Sequence, residues 1–451
     1  LTALSHLRRV AADKRIRDIS VSAITLGLNI ALVYASSAIL ANILGPEEFG
    51  LYSFIIATVT ILTIPAYFGL PTLIAREVSS GVARGNLQLV KGLVKRSRQF
   101  VTVVSISVIT LVLVSTTIGT LIAGWSPKPA YFWAIPLILV VSWAAITSAS
   151  LRGVGKVVQS QWPDQILRPC LLLAIVVAVA TIPGMGLSSA WAAAATVIAG
   201  CVALAVNLLQ WRRSKPEGFD SIEPQFADRQ WILTVIPMAM SAGILILNAQ
   251  VGLVLIQLLS STEEVGFFRV ATQTAQLCAL GYSAVIMNIT PRLASASAHG
   301  DTKQMGQIAL QGGLFAFLTC FPVAALMILF GKGLLSLMFS SAFGAAGLAL
   351  AILAGGQVIN TAFGCAAAIL NMSGHERDCT KALFAGLAAQ VVLCFLLIPA
   401  FGVTGAAVAS VAGVLMSNVI LWSMAKLRTG IDAGVWAWFS RHAKPRDPNA
   451  S

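Results

Sequence analysis

The chain is short of charge, and of negative charge above all. Only 10% of its 451 residues are Asp, Glu, Lys or Arg, and the 17 acidic residues face 30 basic ones. Histidine occurs four times, at His6, His299, His375 and His442, always in a tail or a connection between apolar runs. No Asp or Glu is read within the middle of an apolar run, so no carboxylate–histidine proton relay is expected. There is no GxxxxGK[ST] stretch to cradle a nucleotide phosphate, which argues against ATP hydrolysis by the chain itself. No Ser/His/Asp or Cys/His arrangement marks an enzyme. The seven cysteines, Cys170, Cys201, Cys278, Cys320, Cys365, Cys379 and Cys394, form no CxxC or Cys/His metal spacing and read as small helix-packing residues. Neither a metal nor a cofactor is expected.

What the chain has instead is apolar length. Hydrophobic residues make up 57% of it, and runs of about 18 or more recur from end to end, each able to cross roughly 30 Å of hydrocarbon. The short alternation of a transmembrane barrel is missing. The runs predict an all-α integral membrane protein with about 12 transmembrane helices, at 19–43, 51–75, 98–123, 131–151, 166–182, 187–211, 231–257, 267–290, 308–330, 347–371, 381–400 and 404–426. On this map 27 of the 30 Lys and Arg residues fall on one side; only Lys128, Arg269 and Lys332 fall on the other. The positive-inside rule then puts both termini in the cytoplasm. With a net charge of +13 explained by topology, nucleic acid is not an expected partner. The segment 87–98 reads as amphipathic, with Leu87, Val90 and Val94 opposite Lys91, Lys95 and Arg98. It suits either a helix on an anionic leaflet or a solvated basic loop. Val435–Lys444 reads as an interfacial anchor.

Two phrases recur. LGPEEFGLY at Leu44–Tyr52 returns as TEEVGFF at Thr262–Phe268, and each places an acid pair at the outer start of a helix, where the positive helix end favours anions. Pro71/Pro291, Gly155/Gly374 and Gly184/Gly402 repeat at offsets of about 218–220. The chain therefore reads as two copies of a six-helix unit. Six is even, so the copies form a parallel repeat. The expected organisation is a cytoplasmic tail at 1–18, an N-lobe at 19–212, a cytoplasmic linker at 213–230, a C-lobe at 231–427 and a cytoplasmic tail at 428–451.

LGPEEFGLYS, FGLPTLIARE at the end of the second helix and LRGVGK after the fourth resemble the polysaccharide flippase family, the O-antigen and exopolysaccharide group. That family belongs to the superfamily of multidrug, oligosaccharidyl-lipid and polysaccharide exporters. The resemblance runs along essentially the whole chain. It implies a multi-pass protein of the bacterial cytoplasmic (inner) membrane. It implies outward flipping of a polyprenyl-pyrophosphate-linked oligosaccharide by alternating access of two lobes, for O-antigen, capsule or exopolysaccharide synthesis. The partners it implies are the lipid-linked glycan, membrane lipids, and the polysaccharide polymerase and chain-length machinery.

Such a protein needs a wet cavity for a sugar head group. Polar side chains at helical spacing nominate Asn29, Thr60 and Tyr67 in the first repeat and Asn248, Gln250, Gln257, Arg269, Gln273 and Gln276 in the second. Amides and hydroxyls both donate and accept, as glycan hydroxyls do. The same groups also serve as bonds between helices. Arg269 either meets a pyrophosphate or snorkels to the outer interface. Arg76, Arg152, Arg168 and Arg292 would lie at the inner mouth as head-group collectors or as topology determinants. Four rivals are weighed. A cation-coupled drug exporter would carry a carboxylate in its N-lobe, and none is read in helix one. A major-facilitator carrier would carry a signature that REVSSGVARGN lacks. A membrane glycan polymerase would carry long outer loops. A lipid II flippase would have fourteen helices.

Overall fold

A computed structural model of the chain describes the backbone of residues 2–437 except Trp125 and 183–187. It describes side chains from residue 24 onward in that range, without Ala123, Pro237 and Pro291. The side chains of His6 and of the basic residues at 8–17, together with His442, the 184–186 repeat element and most of the 435–444 anchor, lie outside what is described. Every regular element among those described is helical. The chain is an all-α multi-pass membrane protein.

Among the described residues, ten stretches are long and apolar enough to cross a membrane. Two of them are too long for one crossing. Ile24–Tyr67 has 44 residues, about 66 Å of helix against a core of about 30 Å. It belongs to α1 (Thr2–Tyr67), which breaks at Gly45, with φ 74° and ψ 173°. The cause is local: Gly45 precedes Pro46, a proline drives its predecessor out of the α region, and glycine tolerates positive φ. The other is α15 (Glu376–Thr429), 54 residues long and broken at Gly402 (φ 54°, ψ −131°). Dividing these two gives the twelve helices that the apolar runs predict.

Between them lie α2 (Leu70–Ala83), α3 (Leu87–Ala123), α4 (Pro129–Ala134), α5 (Leu137–Gly153) and α6 (Val157–Trp162). After a π-helical turn at Pro163–Leu167 come α7 (Arg168–Ala180), α8 (Ser189–Ser214), α9 (Asp228–Leu259) and α10 (Thr262–Ala275). The 3-10 turn Gln276–Ala279 leads to α11 (Leu280–Ala298) and α12 (Thr302–Met338), and the 3-10 turn Ser341–Ala346 leads to α13 (Gly347–Ala362) and α14 (Ala366–Met372). The repeat survives in detail. The helices α3 and α12 are both 37 residues long. Each starts with a side-chain cap: Asn86 accepts from the Leu89 N–H at 3.3 Å, and Asp301 from the Gln304 N–H at 2.8 Å.

The chain divides into two compact units, Leu1–Ile246 and Leu247–Ser451. The sequence reading puts the connection at 213–230; the division falls later, inside α9. The reason lies in the packing of α9's first half. Trp231 and Val235 join the core formed by Leu73, Ile74, Val78, Leu93 and Trp211, and Gly69 leaves no room for a side chain against the backbone of Ala239. In α8 the run Ala192–Ala195 is buried, since small side chains let helix backbones approach closely where no hydrophobic effect drives them together. The second unit has its own core around Leu293, Ile308, Ile369, Leu370, Cys379 and Ile431. All seven cysteines are free thiols.

The amphipathic segment 87–98 is the first part of α3. Its apolar face, Val90, Leu93 and Val94, is buried in the protein. Lys91 Nζ donates to the carbonyls of Asp220 and Ile222 at 2.7 Å each. Arg96 pairs with Asp228 at 2.8 Å. This helix start is fastened to the α8–α9 connection, so its apolar face is not free for a leaflet. The described part of the expected anchor behaves alike: Val435 donates to the Ala362 carbonyl at 2.9 Å, and Trp436 packs edge-on against Phe363 and Trp422.

Candidate functional site

The second unit holds a polar pocket of about 130 Å³ between α9, α10, α13 and α15. Its polar lining is Asn248, Thr272, Gln276, Gln357, Gln390 and Ser410, with no charged residue among the lining side chains. Asn248 and Gln276, both expected from the sequence, are brought together here. Gln357, Gln390 and Ser410 were legible only as isolated polar residues in apolar runs. Gln390 is 4% exposed and donates from Nε2 to Ser410 Oγ at 3.2 Å. Close packing shapes the walls: a side chain at Gly252 would strike Phe268, and one at Gly356 would strike Val411.

The first unit holds a charged cluster around the π-turn. Pro163 and Pro169 have no N–H, so an α-helical ladder would leave the carbonyls of Gln159 and Gln165 without donors. Amide side chains from neighbouring helices fill both gaps. Asn29 Nδ2 donates to the Gln165 carbonyl at 2.6 Å. The Gln210 amide, oriented with its nitrogen inward, donates to the Gln159 carbonyl and accepts from Trp162 Nε1 at 2.7 Å. Ser148 Oγ donates to the Ser160 carbonyl at 2.7 Å. The turn presents Asp164, whose Oδ2 accepts from Asn207 Nδ2 at 3.0 Å; Asn207 is fully buried. Arg152 and Arg168 lie within electrostatic range of the carboxylate, yet neither makes an ion pair within 4 Å among the described residues. Arg152 reaches Ser148 Oγ only at 3.5 Å.

Asp164 is the buried-side carboxylate of the apolar helical stretch Val157–Ala180, seven residues from its start, where the sequence reading has a connection. The sequence reading starts the span at residue 166, after Pro163, and the π-turn carries the helix back through that proline. π-helical turns of this kind concentrate at functional sites.

The remaining candidates are dispersed. Asn29 bonds α1 to the proline-broken span. Thr60 Oγ1 returns to the Ile56 carbonyl at 2.7 Å. Tyr67 packs on the first unit's core. Gln250 is half-buried and outside the pocket lining. Gln257 Nε2 donates to Thr262 Oγ1 at 3.0 Å, across the α9–α10 turn. Gln273 is buried and Arg269 half-buried on α10; neither lines the amide pocket. Arg76 is exposed and pairs with Glu77 at 3.0 Å. Arg292 is exposed beside a separate cleft with Asn288 and Gln311. Of the arginines expected at the inner mouth, Arg152 and Arg168 both act on one carboxylate, that of Asp164 in the first unit.

Twelve apolar helices in two repeat-related sets, each with a polar site of its own, define a multi-pass membrane protein of the exporter-superfamily fold. The chain belongs to the polysaccharide biosynthesis protein family, whose model matches residues 16–297. Solved structures share the fold. An inward-facing multidrug resistance MATE family transporter of the MOP superfamily aligns with a TM-score of 0.75 and 15% identity, covering 90% of this chain and 98% of that one. The lipid II flippase MurJ, in an inward closed conformation, aligns with a TM-score of 0.70 and 11% identity, covering 89% and 87%. An uncharacterized membrane protein of Methanocaldococcus jannaschii is 30% identical over 115 residues, which is 25% of this chain and only 23% of that protein.

Proposed function

We propose that the protein flips a polyprenyl-pyrophosphate-linked oligosaccharide from the inner to the outer leaflet of the cytoplasmic membrane, supplying surface polysaccharide synthesis. The observation that carries this reading is the uncharged pocket of the second unit, where Asn248, Thr272, Gln276, Gln357, Gln390 and Ser410 converge. Each amide offers donors and an acceptor, so a sugar can be held through its hydroxyls without a fixed charge. Membership of a polysaccharide biosynthesis family supports a glycan as cargo, and the fold shared with a lipid II flippase supports a lipid-linked one. The head group would travel through polar surroundings while the prenyl chain stays in lipid, and no bond need be made or broken. Polysaccharide polymerase and chain-length machinery would act on the product outside.

A second reading is a cation-coupled drug exporter. Asp164 favours it, as a carboxylate within a span of the first unit. Against it stand Arg152 and Arg168, which already surround that carboxylate with positive charge. A gene deletion separates the two. For the flippase, lipid-linked oligosaccharide accumulates on the inner leaflet and surface polysaccharide is lost; Asn248→Leu and Gln357→Leu proteins, expressed normally, fail to restore it. Surface polysaccharide that persists while cells become sensitive to cationic dyes establishes the exporter instead.

A further inference from the structure

A third site lies in the first unit, apart from both polar sites above. Arg98 stands on α3 between two tryptophans. Its guanidinium carbon is 5.6 Å from the Trp143 ring of α5 and 5.9 Å from the Trp211 ring of α8. Its Nε and Nη2 are buried, and neither has a hydrogen-bond partner among the described residues. The arginine lines a cleft of about 500 Å³ with Lys91, Lys95 and Lys215, against a single carboxylate, Asp220. That carboxylate is already engaged: Lys215 Nζ binds both its oxygens at 2.7 and 2.9 Å and holds it below the ordinary carboxylate range. Arg212 adds a further positive charge close to Arg98. Trp143 offers nothing to an incoming anion, since its Nε1 donates to Thr102 Oγ1 at 3.0 Å.

Buried guanidinium N–H donors left without an acceptor are costly unless an anion completes them. Cation–π contact with two indoles offsets part of that cost but fills none of the N–H donors. The planar fork matches a carboxylate or a phosphate, and the phosphate is the one that a membrane lipid carries. The apolar side of the cleft indicates how the phosphate is carried. Val94, Thr102 and Val103 of α3 line it. From there the same helix continues as a membrane span, Leu87–Ile122, with Val103 64% and Ile106 52% exposed. The cleft is basic at its polar end and opens onto an apolar helix face at the other, which is the pattern of a lipid head group above its chain.

We propose that this cleft binds the phosphate of an anionic membrane lipid, with Arg98 as its principal ligand and the lipid chain along the exposed face of α3. The proposal does not depend on the transported cargo.

The test is thermal unfolding of the purified full-length protein in neutral detergent. It is run with added phosphatidylglycerol, phosphatidylcholine, inorganic phosphate or pyrophosphate. Phosphatidylglycerol should raise the unfolding midpoint of the unaltered protein, and of an Arg84→Gln control at an exposed basic position. The other additives should not. In Arg98→Gln the apparent affinity for phosphatidylglycerol should fall about tenfold or more, the scale of a lost charge-assisted hydrogen bond. Arg98→Lys should recover part of it. If Arg98→Gln does not fold, Lys95→Gln and Arg98→Lys must still weaken the shift in that order. An equal phosphatidylglycerol shift in Arg98→Gln and the unaltered protein overturns the proposal and leaves Arg98 a clamp between α5 and α8. Inorganic phosphate that reproduces the whole shift overturns the lipid assignment.

Discussion

Glu48 accepts a hydrogen bond through Oε2 from the backbone N–H of Ser189, at 2.7 Å. Ser189 is the first residue of α8, so its N–H has no partner within that helix. The acid pair of LGPEEFGLY therefore does more than begin its own helix: Glu48 also satisfies the start of the last helix of its repeat. Lys128 neutralises the pair, 3.7 Å from Glu47 and 3.9 Å from Glu48. The second repeat does the equivalent. Glu264 lies against Gly402, at the break that begins the last helix of that repeat, where any side chain would collide with its carboxylate.

This division of labour separates two adjacent glutamates. Glu48→Ala should destabilise the protein by about 1 kcal/mol, the usual scale of a lost helix cap. Glu47, 71% exposed and paired among the described residues with Lys128, should cost less than about 0.5 kcal/mol when replaced by Ala. Thermal unfolding of the two variants in the same detergent checks this; equal losses would mean the Ser189 contact contributes nothing.

Asn29 should matter because of Pro169. Asn29→Ala leaves the Gln165 carbonyl without its side-chain donor, at a cost of about 1–3 kcal/mol. Pro169→Ala restores an N–H to the helix. The loss from Asn29→Ala should shrink markedly in that background. A double-mutant cycle reads the difference, and strict additivity would remove the account given for Asn29.

Asp164 and the arginines around it should behave as one unit. Asp164→Asn keeps an acceptor for Asn207 but removes the negative charge that Arg152 and Arg168 both act on. Stability and polysaccharide complementation should both fall. Asp164→Asn combined with Arg168→Gln should be less harmful than the sum of the single changes, with a coupling of order 1 kcal/mol. Additive effects would mean that the carboxylate does not balance Arg168.

Topology reporters test the orientation. Fusions after Arg213 and after Arg428 should read cytoplasmic, and fusions near Glu47 and Glu263 external. An external reading at either of the first two would invalidate the charge map.

The helix number was legible in the sequence because membrane spans are nearly autonomous. A run of about 20 apolar residues must close its own backbone hydrogen bonds in hydrocarbon, whatever surrounds it. The repeat was legible for the same reason, since its markers are local: a proline or acidic helix start, a capping Asn86 or Asp301, a glycine after a helix. Asp164 was placed before the span because Pro163 signals a break locally, with Pro169 six residues on. Only the amides of Asn29 and Gln210, supplied by other helices, allow the span to continue through them. Asn248 and Gln276 could be nominated from helical spacing, whereas Gln357, Gln390 and Ser410 join them through the packing of α13 and α15. Arg98 read as one more cation on a basic helix. Its isolation between Trp143 and Trp211 arises from residues 45 and 113 positions away along the chain. Which polar groups bond helices and which are left for a ligand depends on what each side chain meets across a helix interface, and the tertiary structure alone sets that.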